Sequence, residues 1–171
     1  MLHGGRMYFL KSDRLSLRRL RADDVDTMYR YRNDPRCSAY QRGQLRERDK
    51  IALLVEKRKN DVLLCGKRGM FAIEKNGTCE MVGEISLLLE ENTLTMGYTV
   101  APLYQRRGYA YEMISLLLSE AFSRIPDLTV VCRVLEGNEA SQGLLLKLGF
   151  VSHGYCEETD SLVFTKKNGG E

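Results

Sequence analysis

The sequence predicts a single mixed α/β domain, and three observations carry that prediction. Strand-like and helix-like segments follow one another along the chain without a linker, repeat or low-complexity stretch. Three β segments in the middle are joined by short turns, one of them Asn76-Gly77, a strong hairpin signal, so they form an antiparallel meander. The third leads into an apolar helical pattern and then a continuous apolar strand, a crossover that requires one parallel pair. One central mixed, mostly antiparallel sheet flanked by helices accommodates all of this, whereas a doubly wound parallel sheet does not.

Taken in order, residues 14–20 alternate apolar and polar positions as a half-buried strand does. Ala22-Asp23-Asp24 supplies capping and acidic first-turn residues for a helix with an apolar stripe of Val25, Met28, Tyr29 and Tyr31, and Asn33-Asp34-Pro35 stops it. Residues 46–60 read as a second helix with Ile51, Leu54 and Val55 inward. The meander strands are 70–75, 80–89 and 93–101. Residues 110–122 form the crossover helix and 128–135 the strand after it. Asn138 can cap a helix running to Lys147, Gly149 stops it, and 151–157 with 162–166 close the chain as a strand pair. Residues 1–11 are expected to be an N-terminal extension and 12–171 the domain.

A chain of 171 residues, 43% of them hydrophobic, suits one domain with a sizeable core. With 26 basic and 23 acidic residues the charge is too balanced to argue for nucleic acid, and most of the early arginines and lysines are expected on solvated faces. No apolar run approaches the roughly 20 residues that span a bilayer. Residues 1–6 lack the apolar centre of a secretion signal, so a cytoplasmic protein is expected. Five cysteines are odd in number, widely spaced and without a CxxC pair, and only His3 and His153 accompany them, which argues against structural disulfides and against a metal site.

Residues 105–110, Gln-Arg-Arg-Gly-Tyr-Ala, stand between the last meander strand and the crossover helix. A glycine there lets a helix open with unpaired N–H groups, the macrodipole favours an anion at the same point, and two arginines add positive charge. Phosphate binding and a plain solvated helix start both fit this stretch by itself.

The element order together with Gln105-Arg106-Arg107-Gly108-Tyr109-Ala110, then Asn138-Glu139-Ala140-Ser141 and Leu148-Gly149-Phe150 at the right spacing, resembles the GNAT superfamily of acyl-CoA-dependent N-acyltransferases. Asp13-Arg14-Leu15-Ser16-Leu17-Arg18 and Gly97-Tyr98 look like the branch of ribosomal-protein N-terminal acetyltransferases. The resemblance implies that acetyl-CoA is the acyl donor and a primary amine, on a small molecule or a protein N-terminus, the acceptor. It implies a CoA pyrophosphate on the amides of Arg106, Arg107, Gly108, Tyr109 and Ala110. The pantetheine arm would lie along Tyr98 to Val100, in a gap where strands 93–101 and 128–135 splay apart, with an amide near Val100 donating to the thioester carbonyl.

Asn138 is then a cap that also touches pantetheine, or a cap alone. Ser141 is a hydrogen-bond or proton donor to the leaving sulfur, or a small polar first-turn residue. Many members of the superfamily carry a general-acid tyrosine four residues after the Ser141 position, where this chain has Leu145, and the ribosomal-protein branch often has an acidic residue two positions before Gly-Tyr, where it has Thr95. The base is left to Glu84, read either as a proton acceptor through water or as an ordinary strand glutamate. Glu157, Glu158 and Asp160 attract a cationic amine or form a solvated acidic hairpin. Cys132 reads as a buried strand thiol rather than an acyl carrier. The expected reaction is direct attack in a ternary complex, without metal, nucleic acid or membrane, in a monomer or homodimer. A non-catalytic acyl-CoA-binding sensor or interaction module is the rival reading.

Overall fold

The computed structural model describes residues 7–169. Among these, β1 (Tyr8–Lys11), β2 (Leu15–Arg19), β3 (Arg68–Lys75), β4 (Glu80–Glu90), β5 (Thr93–Val100), β6 (Thr129–Val134), β7 (Val151–Cys156) and β8 (Ser161–Lys167) form one sheet, in the order β1-β2-β3-β4-β5-β6-β8-β7. Only β5 and β6 run parallel. The helices are α1 (Asp24–Asn33), α2 (Pro35–Ser38), α3 (Arg48–Arg58), α4 (Tyr109–Arg124) and α5 (Glu139–Lys147), with a 3-10 turn at Pro102–Tyr104.

Two local elements escaped the pattern reading. Residues 1–6, and with them the secretion-signal reading, lie outside the described residues, but Tyr8–Lys11 is not an extension: it pairs with β2 as an edge strand. In the stretch expected as loop, Asp34 accepts a hydrogen bond from the Arg36 amide and Pro35 opens α2, a short helix with a complete N-terminal signature.

The sheet separates two cores. Phe71, Ile73, Ile85, Met96, Met113, Leu117 and Leu145 pack on the α4 and α5 side, while Leu20, Val25, Met28, Ile51, Val55 and Ala72 pack on the α1 and α3 side. A register shift at Ile73/Glu74 breaks the alternation of β4, so Val82 joins the first core although Glu84, two residues on, lies on the other face. Beside that shift the β4 and β5 backbones approach so closely that a Cβ on Gly83 would clash with the Thr99 carbonyl oxygen. Arg18, from the early basic cluster expected mostly on solvated faces, is 2% exposed, and Arg32 is 1% exposed. Arg18 reaches Asp24 at 2.8 and 2.9 Å and also bonds Glu74, which accepts from Tyr8 at 2.9 Å, so one guanidinium ties β1, β2, β3 and α1 together. Removing one partner of such a buried pair costs about 3–5 kcal/mol.

The feature that positions the site is the parting of β5 from β6. Their pairing covers Thr93–Thr95 with Thr129–Val131 and stops there, while β5 runs on to Val100 and β6 stays with β8. No helix among the described residues is long and apolar enough to cross a membrane.

Candidate active site

Beyond β5 the chain enters the 105–110 loop, in which Arg106 (φ 60°) and Gly108 (φ 77°) both adopt left-handed backbone before α4 begins. The first α4 amide with a backbone acceptor is Glu112, which donates to the Gly108 carbonyl at 3.0 Å. The amides of residues 106–111 make no hydrogen bond to another described residue, and unpaired N–H groups at a helix start are the kind of arrangement that receives anions.

Arg14, immediately before β2, braces the loop. Its amide and Nε donate to Glu112 at 3.1 and 2.6 Å, its Nη1 donates to the Arg107 carbonyl at 2.9 Å, and its guanidinium lies 4.8 Å from the Tyr109 ring centre. Against the burial that would raise it, hydrogen bonds from Ser12 and Arg14 hold the Glu112 carboxyl below its ordinary value. Arg14 was legible only as part of a strand motif; its bracing role depends on a partner 98 residues away.

The gap between β5 and β6 forms a cleft of about 500 Å³ lined by Tyr98, Val100, Arg106, Gly108, Tyr109, Ala110, Asn138 and Ser141. Of the expected cofactor residues only Arg107 is missing from this lining: its carbonyl is held by Arg14 and its guanidinium leans toward the Tyr104 ring. The Ala101 amide donates to the Val82 carbonyl at 2.8 Å. By the alternation of an antiparallel ladder, the amides of Tyr98 and Val100 therefore face away from β4 and into the gap. Gln41 and Gln105 donate to the carbonyls of Tyr98 and Val100 at 3.2 and 2.9 Å. Cys37 and Tyr40 add to the wall from the α2 region, a contribution no local signal announced.

Asn138 caps α5, its side-chain oxygen accepting from the Ser141 amide at 3.2 Å. That bond leaves the Ser141 hydroxyl to the cleft, where it meets the Tyr98 hydroxyl at 2.6 Å. Burial pushes the Tyr98 phenol well up, opposed by its bond to Ser141. Leu145, at the position where relatives carry a tyrosine, is fully buried in the core. The phenol near Ser141 comes from the sheet instead, which spacing along α5 did not reveal. Cys132 lines the cleft as a buried thiol pushed up to about 12.

Glu84 is not an exposed strand residue but is 4% exposed, on the α1 side. It accepts from Tyr31, from Arg32 Nη2 at 2.6 Å and Nε at 3.3 Å, and from Gln44 Nε2 at 3.0 Å. Burial, with the neighbouring Glu84 charge, raises the Tyr31 phenol far above its ordinary value. A second cavity, about 370 Å³, opens on this side between β4, β5 and the 41–45 loop. The two cavities share Gln41, Gly97, Tyr98 and Thr99, so they meet at β5. Asp160, Glu157 and Glu158 line neither; the Asp160 carboxylate is taken by Arg42 at 2.9 Å and by Tyr155. No group of three or more His, Cys, Asp or Glu able to hold a metal occurs among the described residues.

A splayed parallel pair, an open amide loop at a helix start and a capped serine across the cleft define an acyl-CoA-binding transferase. The family described as "Acetyltransferase (GNAT) domain" matches residues 14–151, and the chain belongs to that family. It is an acyl-CoA-dependent N-acyltransferase that uses acetyl-CoA. It is 30% identical over 154 residues to the uncharacterized N-acetyltransferase YoaA of Bacillus subtilis, covering 87% of this chain and 86% of that one. Its fold is that of the GNAT-family acetyltransferase from Bacillus anthracis (TM-score 0.79, 20% identity, 94% of this chain and 98% of that one). It is also that of RimL, the ribosomal L7/L12 alpha-N-protein acetyltransferase (TM-score 0.79, 16% identity, 94% of each chain).

Proposed function

We propose that this protein transfers an acetyl group from acetyl-CoA to a primary amine by direct attack within a ternary complex. The observation that carries this reading is the meeting of two cavities at Gly97–Thr99, one against the amide loop and one on the opposite side of β5. Two substrates can then be held at once without exchanging places.

The residues present suit acetyl-CoA: the open amides of 106–111 for a pyrophosphate, and the gap-facing amides of Tyr98 and Val100 for an extended arm. When bound, it supplies the activated acyl group. Everything else falls to the chain. The Val100 amide donates to the thioester carbonyl oxygen as negative charge grows there, a contribution commonly worth about 3 kcal/mol. Ser141, hydrogen-bonded to Tyr98, hands a proton to the departing sulfur and is resupplied from the phenol, which burial keeps protonated. Glu84 takes the amine proton through a water that displaces one of its four donors. The acceptor must shed that proton, since an unperturbed alkyl ammonium titrates near 10 and an α-amino group near 8. A covalent acyl-cysteine finds no support: the cleft thiols Cys37 and Cys132 are pushed up to about 11 and about 12 by burial. A cytoplasmic setting accompanies this reading, since it keeps the cysteines as thiols.

The test is an acceptor panel followed by free-thiol release from acetyl-CoA. Intersecting initial-rate lines in both substrates are expected. Parallel lines would replace the ternary complex by a covalent relay, and no thiol release with any amine would refute amine acetylation.

A further inference from the structure

The polar groups of the second cavity are sorted by depth. Deep inside, Arg32 cancels the charge of Glu84. Gln44 bridges Glu84 and Thr99 with its Nε2, at 3.0 and 3.3 Å, which fixes the orientation of its amide. Its Oε1 is left as the one buried side-chain oxygen or nitrogen without a hydrogen-bond partner among the described residues. A buried acceptor left unpaired is unfavourable, so this oxygen calls for a hydrogen-bond donor, which an amine N–H can be. At the rim stand two exposed arginines. Arg42 is engaged by Asp160, whereas the Arg68 guanidinium has no anionic partner among the described residues. No uncompensated carboxylate lines the cavity.

Resting on the acetyl-transfer reading above, we propose that the acceptor is an amine that also carries a carboxylate, with the amine N–H on Gln44 Oε1 and the carboxylate on Arg68. Free amino acids and N-termini followed by an acidic residue have this chemistry. Polyamines and aminoglycosides do not: they bring further positive charge to a wall whose only carboxylate is already neutralised. The volume, at the small end of the roughly 300–1,000 Å³ of ligand pockets, suits one or two residues rather than an extended polycation.

The experiment compares matched acceptors on the wild-type enzyme: a free amino acid against its carboxamide, Ala-Asp against Ala-Asn peptides, and a diamine. Rates are expressed per neutral amine, because losing the carboxylate also lowers the ammonium pKa. A preference of tenfold or more for the carboxylate member, carried by KM, is expected, and the arm that responds distinguishes amino acid from peptide. Arg68→Gln is expected to shrink that kcat/KM ratio at least tenfold, and Arg68→Glu to turn the preference toward the diamine. Equal use of carboxylates, carboxamides and diamines, or a ratio unmoved in both variants, overturns this inference and leaves acetyl transfer standing. Failure to acetylate any amine overturns the acetyl-transfer reading and this inference with it.

Discussion

Gly108 is where backbone strain and charge can be separated within the cofactor loop. Its φ of 77° lies in the left-handed region, where a side chain costs about 1–2 kcal/mol. A Cβ would stand 3.3 Å from Arg14 Nη2, the far end of a flexible side chain that can give way. Gly108→Ala is therefore expected to lower stability by about 1 kcal/mol, roughly 2–4 °C in Tm for a chain of this size. Aspartate tolerates left-handed backbone better than alanine, so strain by itself ranks alanine as the worse substitution. Charge ranks them in reverse. A carboxylate at residue 108 stands among the open amides of 106–111, and a like charge about 5 Å from a phosphate, at an effective dielectric of about 40, costs about 1.7 kcal/mol. CoA affinity is thus expected to fall at least tenfold, about 1.4 kcal/mol, in Gly108→Asp and less than about threefold in Gly108→Ala. The assay is calorimetric titration of CoA into the wild type and both variants, with thermal melts alongside. Wild-type affinity in a folded Gly108→Asp, or weaker binding in Gly108→Ala than in Gly108→Asp, refutes the placement of a pyrophosphate on these amides.

Ser141→Ala and Tyr98→Phe are each expected to lower kcat at least tenfold with little change in the acetyl-CoA KM, and the double variant to be little worse than either, because the two hydroxyls act as one donor. A loss confined to KM in steady-state kinetics would reduce the pair to a binding contact. Glu84→Gln leaves Arg32 buried without its anion and is expected to cost about 3–5 kcal/mol in urea unfolding. If Glu84 also takes the proton, the rate penalty shrinks as pH rises and the acceptor loses its proton to solvent; a constant ratio across the pH–rate profile would mark a positioning role. Cys132 is shifted by burial from 9.0 to about 12, so the fold favours its protonated form. Its contribution is complete below pH 9 and is lost as pH rises toward 12, by at most about 1.4 kcal/mol per pH unit. Cys132→Val is expected to flatten the fall in unfolding free energy between pH 8 and pH 10.5, and an unchanged slope would refute this.

What the chain reveals unaided is whatever acts over a few residues. Asn76-Gly77, the Asn138 cap, the Gly149 stop and the glycine of the 105–110 loop are decided by turn chemistry and capping, and element order follows from periodicity, so the mixed sheet with its one parallel pair was legible. The missing tyrosine at Leu145 was legible too, but not its substitute: the Tyr98 phenol reaches Ser141 only because a strand and a helix 43 residues apart face the same cleft. Arg18 and Arg32 look like surface charges in the sequence, since a carboxylate that lets each be buried, Glu74 and Glu84, lies 56 and 52 residues away, with Asp24 the one nearby partner of Arg18. Glu84 was placed on the correct strand, but its burial among Tyr31, Arg32 and Gln44 needed α1 and the 41–45 loop folded against β4. The second cavity has no signature at all in the chain, because it is the space left between elements whose packing is set by long-range burial and charge pairing rather than by neighbouring residues.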